Sequence, residues 1–162
     1  MIAGRLTFGV LHLDDVPSVE AQSGKKLTTI TTMQKINPMS HYLLGVVRTD
    51  RLAENRAGFV RLLAGLIAAG DYLRDPKNAD HVAELAAPTG RTKEEAKQAL
   101  ARYLDLGFWA IDNDGLDRAK LEAVIAVQAR IGGIQPGKTA VAYDRLADGS
   151  VWREAAALVK QQ

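Results

Sequence analysis

Two short apolar runs set the tightest limit on what this chain can fold into. Leu6 to Leu13 is nearly unbroken apolar sequence and ends in Asp14-Asp15. Tyr42 to Val47 is a second run of the same kind, ending in Arg48-Thr49-Asp50. Each is short for a helix and suits a strand covered on both faces, the pattern of parallel sheets in α/β proteins. The expected fold class is therefore α/β. In open sheets of that kind ligands gather beyond the carboxyl ends of the strands. That geometry draws attention to His12, Asp14 and Asp15.

The remainder of the chain reads as helix. Pro17 to Ser23 supports one or two helical turns, Gly24-Lys25-Lys26 a turn, and Leu27 to Met33 a third, alternating strand. Gln34 to Ser40, with Asn37-Pro38, reads as a loop. From Asp50 onward Phe59, Leu62, Leu63, Leu66, Ile67, Gly70 and Leu73 recur at the helical spacing, which predicts one long helix with that face inward. Asp75-Pro76 ends it and opens another, with Val82, Leu85 and Ala86 inward and Pro88-Thr89-Gly90 as the stop. Thr92 to Glu95 spells a capping box, followed by Ala96, Ala99, Leu100 and Tyr103 on one face. Asp117 caps a helix whose face is Leu121, Val124, Ile125, Gln128 and Ile131, closed by Gly132-Gly133. Ser150 caps a last helix running to Lys160. The expected result is a mixed α/β front and a helical back.

Composition narrows the chemistry. The 162 residues include 47% apolar and 25% charged residues, an ordinary globular balance. The 21 basic and 19 acidic residues nearly cancel, and the basic ones form no stripe, so nucleic acid is not an expected partner. There is no cysteine, which excludes disulfides, thiolate catalysis, iron–sulfur clusters and cysteine zinc sites. No run of about 18 apolar residues is available to span a bilayer. Met1 to Arg5 shows no secretory signal pattern, which points to a cytoplasmic protein or to a chain lacking its natural beginning.

The order of these pieces resembles the substrate-binding proteins of ABC transporters in the sulfonate, taurine, nitrate and thiamine-precursor group. The residues that carry the resemblance are Gly4 to Asp14, then Gly24 to Met33, then Thr49 to Asn55. The Asp75-Pro76 break, Thr89-Gly90 before Glu94-Glu95, Gly115 to Asp117, Tyr143 to Leu146 and Val151-Trp152 follow in the same order. The resemblance implies part of a type II periplasmic-binding-protein fold, matching only the carboxyl-terminal half of such proteins. Residues 1–40 would end the second lobe and carry the crossover; residues 41–162 would hold a return strand and helices of the first lobe. It implies a non-enzymatic role, capture of a small polar or heteroaromatic solute and delivery to permease subunits, in the periplasm or at the cell surface. No cofactor and no metal are implied. His12, Asp14, Asp15, Asn37, Ser40, His41 and Tyr42 are the expected ligand-binding residues. A site built from both lobes would be incomplete here. Weak or no ligand binding is expected of this chain alone, as is a homo-oligomer that covers open strand edges.

Other readings compete at single motifs. Asp15 could cap the helix at Pro17 with His12 left exposed, and Tyr42 could be core. Gly132 to Thr139 matches the phosphate-loop pattern, which would make the chain a nucleotide hydrolase with Lys138 on phosphate and Thr139 on magnesium. That loop needs a strand before it, whereas a capped helix precedes Gly132, and Pro136 removes one N–H from the cradle. A thiamine-pyrimidine-synthesising enzyme of the same fold is a further alternative; its fungal type needs cysteines that are missing here. The effector-binding half of a transcriptional regulator is another, without a preceding helix-turn-helix. Asp112 to Gly115 has part of a calcium loop, but position twelve is Ala123, so a solvated turn accounts for it better.

Overall fold

The structure is a computed structural model that describes residues 3, 5–39, 43–109, 112–135 and 143–161. The described elements are helices: α1 (Val16–Ser23), α2 (Met33–Ile36), α3 (Thr49–Glu54), α4 (Arg56–Arg74), α5 (Ala79–Leu85), α6 (Lys93–Asp105), α7 (Arg118–Arg130), α8 (Tyr143–Leu146) and α9 (Ser150–Val159). Short 3-10 turns at Leu13–Asp15, Pro76–Asn78 and Ala87–Thr89 lead into or out of them.

The α/β expectation is corrected: the fold is all-α, with no strand among the described residues. Residues 6–11 and 43–47 carry no regular element, and Leu27 to Thr32 likewise carries none until one helical turn begins at Met33. The physical reason is the difference between the two kinds of hydrogen bonding. A helix closes its N–H···O=C bonds within itself, whereas a strand needs a neighbour to supply them. Among the described residues no backbone hydrogen bond joins residues 6–11 or 43–47 to another segment. Their side chains are correspondingly outside: Leu6 is 64% exposed, Phe8 77% and Val10 93%. The large apolar side chains of these runs are therefore mostly exposed rather than core.

The chain divides into two compact units. The first comprises Met1–Thr29 and Ala69–Ala110, the second Ile30–Ala68 and Ile111–Gln162. In the first unit α6 packs against α5, α1 and the turn at Leu13–Asp15. Its buried side chains are Val16 and Pro17 of α1, Ala83 of α5, and Ala96, Ala99 and Leu100 of α6. The capping box that opens α6 is complete. Thr92 Oγ1 accepts from the Glu95 N–H, and the Glu95 carboxylate accepts from the Thr92 N–H at 2.8 Å.

In the second unit, which holds residues 56–68 of α4, that part of the helix and α9 form a small core of Val60, Ala64, Ile67 and Ala155, flanked by Leu63, Val151, Trp152 and Val159. Ala155 is 0% exposed within this core. Arg56 fastens the same pair, donating to Ser150 Oγ at 2.5 Å and to the Glu154 carboxylate at 2.6 Å. The expected inner face of α4 is corrected in part. Ile67 and Gly70 are buried as expected, but Leu62 and Leu66 are exposed, and Val60 and Ala64 take the inner stripe. Asp117 caps α7 by accepting from the Lys120 N–H, and Leu121 is buried beneath it. Ile131, expected on the same face, is exposed.

Candidate functional site

The first unit gathers a charged and aromatic cluster around Asp14. Leu13–Asp15 forms a single 3-10 turn, tied by the Asp15 N–H donating to the His12 carbonyl at 3.1 Å. Pro17 follows at the start of α1, where its fixed φ suits the first turn and its missing N–H costs nothing. This entry places two carboxylates side by side opposite Arg91, the residue just before the cap of α6. Arg91 Nη2 donates to Asp14 Oδ2 at 2.5 Å and to Asp15 Oδ1 at 2.9 Å. Arg91 Nε donates to the Asp14 carbonyl at 3.2 Å, so one guanidinium reads both side chain and backbone. Tyr103, three turns along α6, donates its hydroxyl to Asp14 Oδ1 at 2.6 Å.

The aromatic half of the cluster follows from a glycine. Gly107 adopts φ 58, a left-handed conformation that ends α6 and reverses the chain. Phe108 and Trp109 then fold back on Tyr103, at ring-centroid distances of 4.6 Å and 5.4 Å. Phe108 stays exposed and Trp109 half-buried, so the aromatic group keeps an open side.

Electrostatics within the cluster favour the ionised acid. Partial burial alone would push the Asp14 carboxyl up. The Tyr103 hydroxyl, its own backbone N–H, and the charges of Arg91 and His12 outweigh that and hold it below the usual carboxylate range. The Arg91 and Asp14 side chains are only 21% and 28% exposed, so their attraction is less screened than that of a surface pair. The result is a fixed anion beside a fixed cation, next to aromatic rings. Such a surface can orient a planar polar molecule by hydrogen bonds and stacking. No group of acids and histidines among the described residues could hold a metal ion.

Of the expected ligand residues, His12, Asp14 and Asp15 come together here. Asn37 belongs to the second unit, where it is exposed and closes α2 through its N–H to the Met33 carbonyl. Ser40, His41 and Tyr42 lie outside the described residues. Asp15 sits at the cap position of α1 without a side-chain capping bond, being engaged by Arg91 instead. Arg91, Phe108 and Trp109 were not anticipated as members of the cluster, and Tyr103 was anticipated only as core. The one local signal was position: Arg91 directly precedes the capping box, and Phe108-Trp109 directly follows the helix.

The remaining motifs resolve as local structure. Residues 132–135 follow α7, with Gly132 at φ 80 and the Gly133 N–H bonded to the Gln128 carbonyl, a helix terminus rather than the strand a phosphate loop requires. Asn113 and Asp114 accept from the N–H groups of Gly115 and Leu116, two side-chain turns that leave Asp112 to Gly115 a surface loop. An open groove of ≈ 490 Å³ lies between α1 and α6, lined by residues including Glu20, Lys25, Lys26 and Glu95. Two of its carboxylates are already engaged, Glu20 by the Leu27 N–H and Lys26, Glu95 by Thr92. No described helix is long and apolar enough to cross a membrane. Searches of protein-family models, curated proteins and solved structures found nothing that matches this chain.

Proposed function

We propose that this chain is a non-enzymatic binding component that takes a small polar, heteroaromatic solute, serving an importer of the ABC class through permease subunits outside the cytoplasm. The motif order from Gly4 through Trp152 supports the importer setting. The observation that carries the solute class is the Asp14 carboxylate, held ionised between Arg91 and Tyr103 beside the open aromatic group of Phe108 and Trp109. A carboxylate favours a ring with amino donors, such as an aminopyrimidine of the thiamine-precursor type, over a sulfonate, which needs cationic donors without a competing acid.

The test is a fluorescence titration in a Trp152→Phe chain, so that Trp109 alone reports. An aminopyrimidine is expected to quench saturably with a dissociation constant of about 1 mM, as suits a site open on one side. Asp14→Asn should weaken this at least about tenfold, or ~1.4 kcal/mol. Saturation by taurine and not by the pyrimidine would move the solute class to sulfonates. No response to either would overturn the reading.

A further inference from the structure

We infer that Asp15 is the residue of this cluster that meets the solute and selects an amino donor, with Asp14 behind it as a positioning residue. The inference rests on the solute reading above and assigns the contact within that site. Asp14 is engaged by the protein itself. Its Oδ2 accepts from Arg91 at 2.5 Å and its Oδ1 from the Tyr103 hydroxyl at 2.6 Å. A ligand donor that displaced either would exchange one charge-assisted bond for another and gain little.

Asp15 stands differently. Arg91 Nη2 binds its Oδ1 at 2.9 Å, and its Oδ2 carries no hydrogen bond to a described residue. Pro17 contributes to this. A carboxylate at a helix cap ordinarily accepts from the second or third N–H of its helix. Pro17 holds the second position of α1 without an N–H, and Asp15 makes no capping bond. The Asp15 side chain is also the more open of the two, 44% exposed against 28% for Asp14. One guanidinium nitrogen bridges both acids, so one oxygen of Asp15 is tied and the other is left as an acceptor. A ring amino group satisfies that acceptor. A ring with an ether oxygen at the same place sets two acceptors against each other and is disfavoured.

The experiment compares 4-aminopyrimidine with 4-methoxypyrimidine, which has an ether oxygen in place of the amino group, by Trp109 fluorescence in the Trp152→Phe chain. With Asp15 present the amino compound should bind about tenfold more tightly, the worth of one hydrogen bond to a charged acceptor. In Asp15→Asn the side chain can turn either a donor or an acceptor to the ring. The two affinities should then converge to within about twofold, by loss at the amino compound. A role in shape alone would weaken both compounds equally and keep the ratio. A ratio that survives Asp15→Asn would therefore overturn the assignment and return the contact to Asp14. Equal binding of both compounds before the change would overturn it too, while leaving the heteroaromatic reading in place. No response to either compound would remove the solute reading and this assignment together. If Asp15→Asn does not fold, carbodiimide-driven coupling of glycinamide to the wild-type chain decides, read residue by residue by tandem mass spectrometry. Asp15 should be labelled ahead of Asp14 and protected by saturating 4-aminopyrimidine. Labelling of Asp15 that the compound leaves unchanged would overturn the assignment.

Discussion

Asp14 accepts hydrogen bonds from two side chains that lie 77 and 89 residues away in the chain, Arg91 and Tyr103. Its lowered pKa ties stability to pH in a definite direction. A carboxyl whose folded value is depressed contributes stability above its unfolded value, about 3.9. That contribution is lost as pH falls from there through the folded value. Thermal melts of wild type and Asp14→Asn should therefore differ most near neutral pH and converge in acid below the folded value. A gap that persists unchanged at the acid end would assign the difference to shape rather than charge. Arg91→Ala should cost about 1–3 kcal/mol, because it leaves two acids with one cation fewer and Asp14 partly buried. Chemical denaturation at neutral pH measures it. At this scale the sequence marked Asp14 and Asp15 as notable by their place at the end of an apolar run. It could not mark Arg91, whose role depends on where α6 begins relative to a turn far earlier in the chain.

Helices are where local chemistry speaks most directly. Thr92 and Glu95 form both halves of the capping box that their spacing announces, since every atom involved lies within four residues. Thr92→Ala should cost about 1 kcal/mol, read from the shift of the denaturation midpoint. Glu95 is held below its ordinary range by the Thr92 N–H, so the cap weakens in acid. The face of α4 was less legible. Phe59, Val60, Leu62, Leu63, Ala64, Leu66 and Ile67 cover more than half of its circumference, so spacing alone admits several inner stripes. The selected stripe runs through Val60, Ala64 and Ile67, which cluster with Ala155 of α9. Ile67→Ala should cost about 2–4 kcal/mol. Leu66→Ala, on the exposed face, should stay within about 0.5 kcal/mol of wild type. Equal losses at the two positions would restore the broader face that periodicity suggests.

Across the whole molecule, each compact unit is assembled from stretches of chain that are not contiguous, and each holds one tryptophan: Trp109 in the first, Trp152 in the second. Trp152 lies against the α4–α9 core, its indole nitrogen buried and without a hydrogen-bond partner. Single-tryptophan chains, Trp109→Phe and Trp152→Phe, should show different denaturant midpoints, because the two reporters sit on separate cores. Coincident midpoints would mean that the units unfold as one. A far-ultraviolet dichroism spectrum of helical type is expected for the intact protein.

By itself the sequence determined the caps, stops and turns: Asp75 at Pro76, Thr92 with Glu95, Asp117, and the glycine at the end of α7. These features are closed by hydrogen bonds within a few residues, so their chemistry is complete in a short window. Tertiary structure decided what no window contains. Whether Leu6 to Leu13 and Tyr42 to Val47 become strands depends on a neighbouring ladder, and among the described residues none is supplied to residues 6–11 and 43–47. Which stripe of α4 turns inward depends on where α9 packs against it. Which arginine meets Asp14 depends on the packing of α6 against the turn before α1. Apolarity in a run states that a segment gains by being covered; only the rest of the fold states by what.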